Sequence, residues 1–156
     1  METAVERLLV QNYDKYYRLA LSYVHVPDHA MDVVQEGAVK ALRKKQGLRQ
    51  EAYADTWICR IMINEAVSFL RKRKREQPVE LLPDAGKWDA YQIASLFAEV
   101  DALPHPDGAI LRLRYLEDLP IKTVAEIVQM PLSTVKTRLY RALAALKLKM
   151  EDEDHA

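Results

Sequence analysis

Apolar residues recur at three- and four-residue steps through most of this chain, the period of a helix buried along one side. The pattern predicts a helix over residues 4–24 that ends near Val26-Pro27, and a second that Asp28 can cap and that runs to about Gln46, with Gly47 as its stop. A short polar loop, Gly47 to Ala54, leads to a third helix opened by Asp55 or Thr56 and running from Trp57 to about Arg75. Ile58, Ile61, Met62, Ala66, Phe69 and Leu70 form its expected buried face, and Arg60, Asn64, Ser68 and Arg71 an opposite polar stripe. From Glu76 to about Trp88 the periodicity fades and Pro78, Pro83 and Gly86 appear, which predicts a linker.

A second helical module follows, with helices over about Asp89 to Ala102 and Asp107 to Leu116 and then a helix pair over Leu119 to Lys149. Val124, Ala125, Ile127 and Val128 give the first helix of that pair an apolar side. Gln129-Met130-Pro131 ends it, because proline disfavours a helical residue before it and lacks the N–H that would continue the bonding. Ser133 offers an N-cap hydroxyl to the next helix, in which Leu132, Val135, Leu139, Leu143 and Leu146 share one face and Thr134, Lys136, Thr137 and Arg141 lie on others. This is the helix-turn-helix layout, whose second helix fits the DNA major groove with its first residues nearest the bases. The rival reading is an ordinary helical hairpin with a solvated basic face. No strand pattern competes, so the expected fold is all-α: two small helical modules joined by a flexible linker, the C-terminal one a helix-turn-helix.

Composition changes the picture through charge. Lys plus Arg and Asp plus Glu each number 23, a net charge of zero, but the signs are segregated. From Lys40 to Arg75, eleven basic and three acidic residues leave +8; from Ser133 to Met150 there are five Lys or Arg and no acid. The first 39 residues and the tail Glu151-Asp152-Glu153-Asp154 are acidic. Concentrated positive charge is a footprint for polyanions, although a bare charge run is often only solvated surface.

The remaining chemistry is sparse. The single cysteine, Cys59, reads as a small buried apolar residue in a reducing compartment. No His or Cys cluster has metal-ligand spacing, glycine is too scarce for a phosphate-cradling loop, and no nucleophile-base-orienter set is legible. No enzyme, cofactor or metal is therefore expected. No apolar run approaches the ~20 residues of a membrane span and no secretory signal is recognisable, so direct membrane insertion is not expected.

Four segments carry a family resemblance. Asp28-His29-Ala30-Met31-Asp32-Val33-Val34-Gln35-Glu36 resembles the DAxDxVQE signature of extracytoplasmic-function (group 4) sigma factors of the sigma-70 family. Thr56-Trp57-Ile58-Cys59-Arg60-Ile61, with Asn64-Glu65-Ala66 and Leu70-Arg71, is similar to their TWLxRIxxNxAxDxLR helix. Leu103-Pro104 and Leu111 to Tyr115 resemble the opening of their second module; Val124 to Ile127 and Pro131 to Leu139 resemble their helix-turn-helix. Departures are Ser68 where Asp is usual, Ser133 where Gly is usual, Pro120 for Ser or Thr, and Pro106-Asp107-Gly108 in place of a more charged stretch.

The resemblance implies a sigma factor that recruits RNA polymerase core to promoters and assists their melting. Residues 1–75 would be sigma region 2, 76–88 a linker, 89–150 sigma region 4, and 151–156 an acidic tail. Ser133, Thr134, Lys136 and Thr137 would meet base edges or nearby phosphates of the −35 element, with Arg138 and Arg141 on phosphate; the alternative for Arg138 is a solvated side chain or an ion pair within its module. Tyr53, Trp57, Arg60, Asn64, Arg71 and Lys72 would hold the opened −10 element, where unpaired bases must be stacked and the backbone neutralised. Trp57 shares a face with Ile61, so core packing is its other reading.

An acidic-polar stripe, Asp32, Gln35 and Glu36, repels phosphate and suits a basic protein surface. By resemblance that surface is the clamp helices of the polymerase largest subunit, with the second-largest-subunit flap meeting the other module. The resemblance also implies an anti-sigma factor as partner, and a place in the bacterial cytoplasm, including retention at the membrane by that partner. The rival function is a stand-alone helix-turn-helix regulator that dimerises on a palindrome.

Overall fold

All regular structure among the described residues is helical. The computed structural model describes the backbone of residues 2–76 and 98–154, with side chains over 2–75 and 98–147. Of the expected linker over 76–88, Glu76 is the last residue of the third long helix and 77–88 lie outside the described residues, as do most of the helix expected from Asp89 and the side chains of the acidic tail. The chain divides into two compact units, Met1–Ala94 and Ser95–Ala156.

In the first unit α1 (Ala4–Gln11) opens with a capping box: Glu6 N–H donates to the Thr3 hydroxyl and Thr3 N–H to the Glu6 carboxylate, both at 3.2 Å. Lys45 holds the same carboxylate at 2.6 Å. The single helix expected over 4–24 is instead broken at Asn12, whose backbone leaves helical geometry before α2 (Tyr13–Val24) begins. A tertiary contact accompanies the break: the Asn12 amide donates to Asp55 at 3.3 Å. His25 closes α2 in the left-handed region, and α3 (Pro27–Lys44) starts with proline in its first turn, so Asp28 lies inside that turn rather than capping it. Short 3-10 turns occupy Lys45–Gly47 and Glu51–Tyr53. α4 (Ala54–Glu76) packs on α2 and α3.

The core of this unit joins Tyr16, Leu19, Val33, Ile58, Cys59 and Met62. Cys59 is buried as expected, but the buried face of α4 is rotated: Ile63 is buried, whereas Ile61, Phe69 and Leu70 are only half-buried. The α3–α4 crossing is close at Gly37: a Cβ there would lie 2.4 Å from the Met62 sulfur, so the Met62 side chain would have to shift to admit one.

In the second unit a helical turn at 98–101 precedes α5 (Asp107–Leu111), which continues as a π turn over Arg112–Leu116. Glu117 N–H reaches back to Arg112 O at 3.1 Å, the wider spacing of that turn. α6 (Ile121–Val128) and α7 (Leu132–Asp154) form the helix-turn-helix. Between them Gln129 takes the left-handed conformation and Met130 N–H returns to Ala125 O at 3.1 Å, a Schellman-type end. Ile110, Leu113, Val124, Ile127, Val135 and Leu139 build the core, and buried Arg112 is paired with Asp101.

Two expectations for α7 are corrected. The helix begins at Leu132, and Val135 N–H bonds Pro131 O at 3.0 Å, so Ser133 lies in the first turn and is not the cap. Leu132, expected on the apolar face, is 39% exposed because it precedes the turn that contacts α6.

Candidate nucleic-acid and polymerase interfaces

The surface of α3 follows from its register. Val33, Val34 and Gly37 turn inward, which leaves Asp32, Gln35 and Glu36 exposed together. Met31, Val39 and Leu42 are also exposed large apolar residues on this helix. They are spaced four, four and three residues apart through Gln35, so one stripe runs beside the carboxylates. That apolar component is missed by reading the acids alone; its signal is a second hydrophobic period offset from the buried one.

On α4 and the turn before it, Tyr53 is 48% exposed, Trp57 and Arg60 are half-buried, and Asn64, Arg71 and Lys72 are exposed. Steps of four, three, four and seven residues from Tyr53 to Arg71 place Tyr53, Trp57, Arg60, Asn64 and Arg71 along one side. Burial pushes the Arg60 pKa down, but a guanidinium stays charged in any case. Arg73 is committed elsewhere: its Nη1 lies 3.2 Å from His29 Nε2, whose ring is tilted against Phe69.

On α7 burial of Val135, Leu139 and Ala142 leaves Ser133, Lys136, Thr137 and Arg141 exposed and Thr134 half-buried. Thr137 Oγ1 donates to Ser133 O at 3.0 Å, which leaves its lone pairs outward. Arg138 stands apart. Its Nη1 pairs with Asp107 Oδ1 at 3.1 Å, across 31 residues of sequence, and the carboxylate is 11% exposed. Sequence reasoning also missed Tyr140, which is 64% exposed beside Arg141 and one turn beyond Lys136. An aromatic at a position that the helical period puts outside is its signal.

Such an arrangement, an acidic-apolar helix face and two separate cationic faces with an exposed aromatic on each, suits a protein partner plus nucleic acid. Comparison with known proteins gives the family. Sigma-70 region 2 matches residues 8–76, and Sigma-70, region 4 matches residues 93–146. The chain is 39% identical to RNA polymerase sigma factor SigV of Bacillus subtilis, over 89% of this chain and 86% of that one. It is 32% identical to the ECF RNA polymerase sigma-E factor of Haemophilus influenzae, over 92% and 86%.

The chain belongs to the extracytoplasmic-function sigma factors of the sigma-70 family. As a sigma factor it brings RNA polymerase core to specific promoters and assists their melting. The fold agrees: a sigma factor RpoE solved with the anti-sigma factor NepR from Bartonella quintana superposes with a TM-score of 0.69 at 21% identity, covering 94% of this chain and 96% of that one. CnrH, solved with the cytosolic domain of CnrY, gives 0.71 at 18% identity, over 95% and 88%. No helix among the described residues is long and apolar enough to cross a membrane.

Proposed function

We propose that this sigma factor divides its work between the modules as follows. Residues 1–75 bind core polymerase through Asp32, Gln35 and Glu36 on α3 and hold the opened −10 element through Tyr53, Trp57, Arg60, Asn64, Arg71 and Lys72. Residues 89–150 read the −35 element through Ser133, Thr134, Lys136, Thr137 and Arg141 and meet the flap of the second-largest subunit, with 76–88 as linker. The observation that carries this reading is the separation of sign within one unit: exposed Asp32 and Glu36 lie together in the first half of α3, ahead of its basic end at Lys40, Arg43 and Lys44, while exposed Arg71 and Lys72 share α4. A carboxylate-bearing face repels phosphate, so it serves a basic protein surface, which we assign to the polymerase clamp helices. The solved relatives were captured with anti-sigma partners, which supports an anti-sigma factor as the cytoplasmic regulator here.

The pair Asp32→Arg and Glu36→Arg tests the docking face. Both side chains are exposed, so the fold should lose no more than about 0.5 kcal/mol each, measured by thermal unfolding. Core affinity, read by fluorescence anisotropy, should fall at least roughly ten-fold, the worth of about 1.4 kcal/mol. Unchanged affinity in the double variant would show that another surface docks.

A further inference from the structure

The Asp55 carboxylate stands in the first turn of α4 and receives three donors from one short stretch at the start of α2. The Asn12 amide reaches it at 3.3 Å, the Lys15 ammonium at 2.5 Å and the Tyr16 hydroxyl at 2.7 Å. Burial pushes this carboxyl upward, but the Lys15 and Tyr16 hydrogen bonds outweigh it and hold it below the usual carboxylate range. Burial, aided by the Asp55 charge, pushes the Tyr16 phenol far up, so its hydroxyl keeps its proton and remains a donor. Tyr16 itself is fully buried. The break between α1 and α2 at Asn12 belongs to the same arrangement.

We propose that Asp55 and Tyr16 are positioning residues for promoter opening: their clasp with Asn12 and Lys15 fixes the first turn of α4, and with it Tyr53 and Trp57. This rests on the reading above of α4 as the −10 surface. Helix ends fray because their outermost N–H groups lack intrahelical partners. Tyr53 is two residues before the carboxylate and Trp57 two after it, so both are carried by that end. One hydrogen bond would leave the turn free to rotate, whereas three from Asn12, Lys15 and Tyr16, which share one face at the start of α2, hold it against that helix. Recruitment by polymerase and the −35 element does not use this turn. Opening does, because an unpaired base must meet an aromatic already in place.

The test uses Asp55→Asn and Tyr16→Phe, each assembled with core polymerase, beside a contact pair, Tyr53→Ala and Asn64→Ala. Gel shifts report recruitment and permanganate reactivity of thymines reports opening. Each clasp variant should open a duplex promoter roughly ten-fold more slowly, the worth of about one charge-assisted hydrogen bond. Recruitment and core affinity should stay within about two-fold, within the usual scatter of independent sites. Transcription should return on a template with a pre-melted −10 region, and the double variant should be no worse than Asp55→Asn alone, because both remove one contact.

Normal opening in the clasp variants with slow opening in the contact pair overturns the proposal and leaves the −10 reading standing. Normal opening in both sets overturns both. A fall in core affinity matching the fall in opening, with no rescue by the melted template, makes the clasp purely structural and also overturns the proposal. Should Asp55→Asn fail to fold, Tyr16→Phe, which removes a single hydroxyl, decides the matter.

Discussion

Arg71 and Lys72 at the end of α4 and Arg138 on α7, all candidate DNA-facing cations, stand in different electrostatic settings. On α4 the exposed Arg71 and Lys72 stand clear of the inter-helix ties, which use other residues: Lys15 with Asp55, Lys45 with Glu6, and Lys40 with Glu65. On α7 one cation of the set, Arg138, is itself a tie, held by a carboxylate that is almost covered. A charge already neutralised at short range gives little to a phosphate, because contact releases counterions only where charge was unpaired. Equal sequence patterns thus yield unequal electrostatic roles, and the partner across the fold decides which.

The largest effect expected from this comparison lies inside the second unit. Arg112 is 2% exposed and its guanidinium is met by Asp101. Asp101→Ala removes that carboxylate, itself 35% exposed, from a buried guanidinium and should cost about 2 kcal/mol, the usual range for a hydrogen bond to a charged group. Urea unfolding of the full chain checks it. A cost near that of an exposed pair would show that the ties of the two units are alike after all.

Next comes the helix crossing of the first unit. Gly37→Ala drives a methyl against the buried Met62 side chain and should cost about 2 kcal/mol, despite alanine's better helix propensity. Gly47→Ala meets nothing within 4 Å and serves as the control. Equal midpoints for the two variants would break the account of the crossing.

The comparison itself is sharpened on α7. Lys136→Ala and Arg141→Ala should each lower the salt slope of −35 promoter binding by about one. Arg138→Ala should leave that slope nearly unchanged and instead cost about 1 kcal/mol of stability, as a partly covered pair does. A slope change of the same size at all three positions would place Arg138 on phosphate and dissolve the distinction.

The smallest effect concerns pH. Burial, with the Arg73 charge adding to it, holds His29 below its usual value, against the opposing pull of Asp32 and Asp28. The unfolded chain then binds more protons than the folded one once pH drops below about 6.5. The His29 contribution is fully present above that value and is lost as pH falls toward the folded pKa. His29→Gln should flatten the fall in stability between neutral and mildly acidic pH, measured by denaturant titration at each. An equally steep fall in the variant would assign it to other groups.

Helical period and turn chemistry in the sequence determined the all-α class, the helix-turn-helix, the acidic face of α3 and the exposed positions on α4 and α7, because local register depends on near neighbours. The break at Asn12 was illegible: α1 and α2 share one apolar pattern, and the residue that bonds Asn12 lies 43 positions away. The rotated buried face of α4 was illegible for a like reason, since which of Ile61 and Ile63 turns inward depends on how α2 and α3 approach. Arg138 and Lys136 have the same chemistry two residues apart, and only Asp107 packed beneath one of them separates their roles. The helical period gives each helix an apolar and a polar side; tertiary structure decides how far the buried side turns and which polar groups are already satisfied, because packing, hydrogen bonds and ion pairs are made by distance in space and not along the chain.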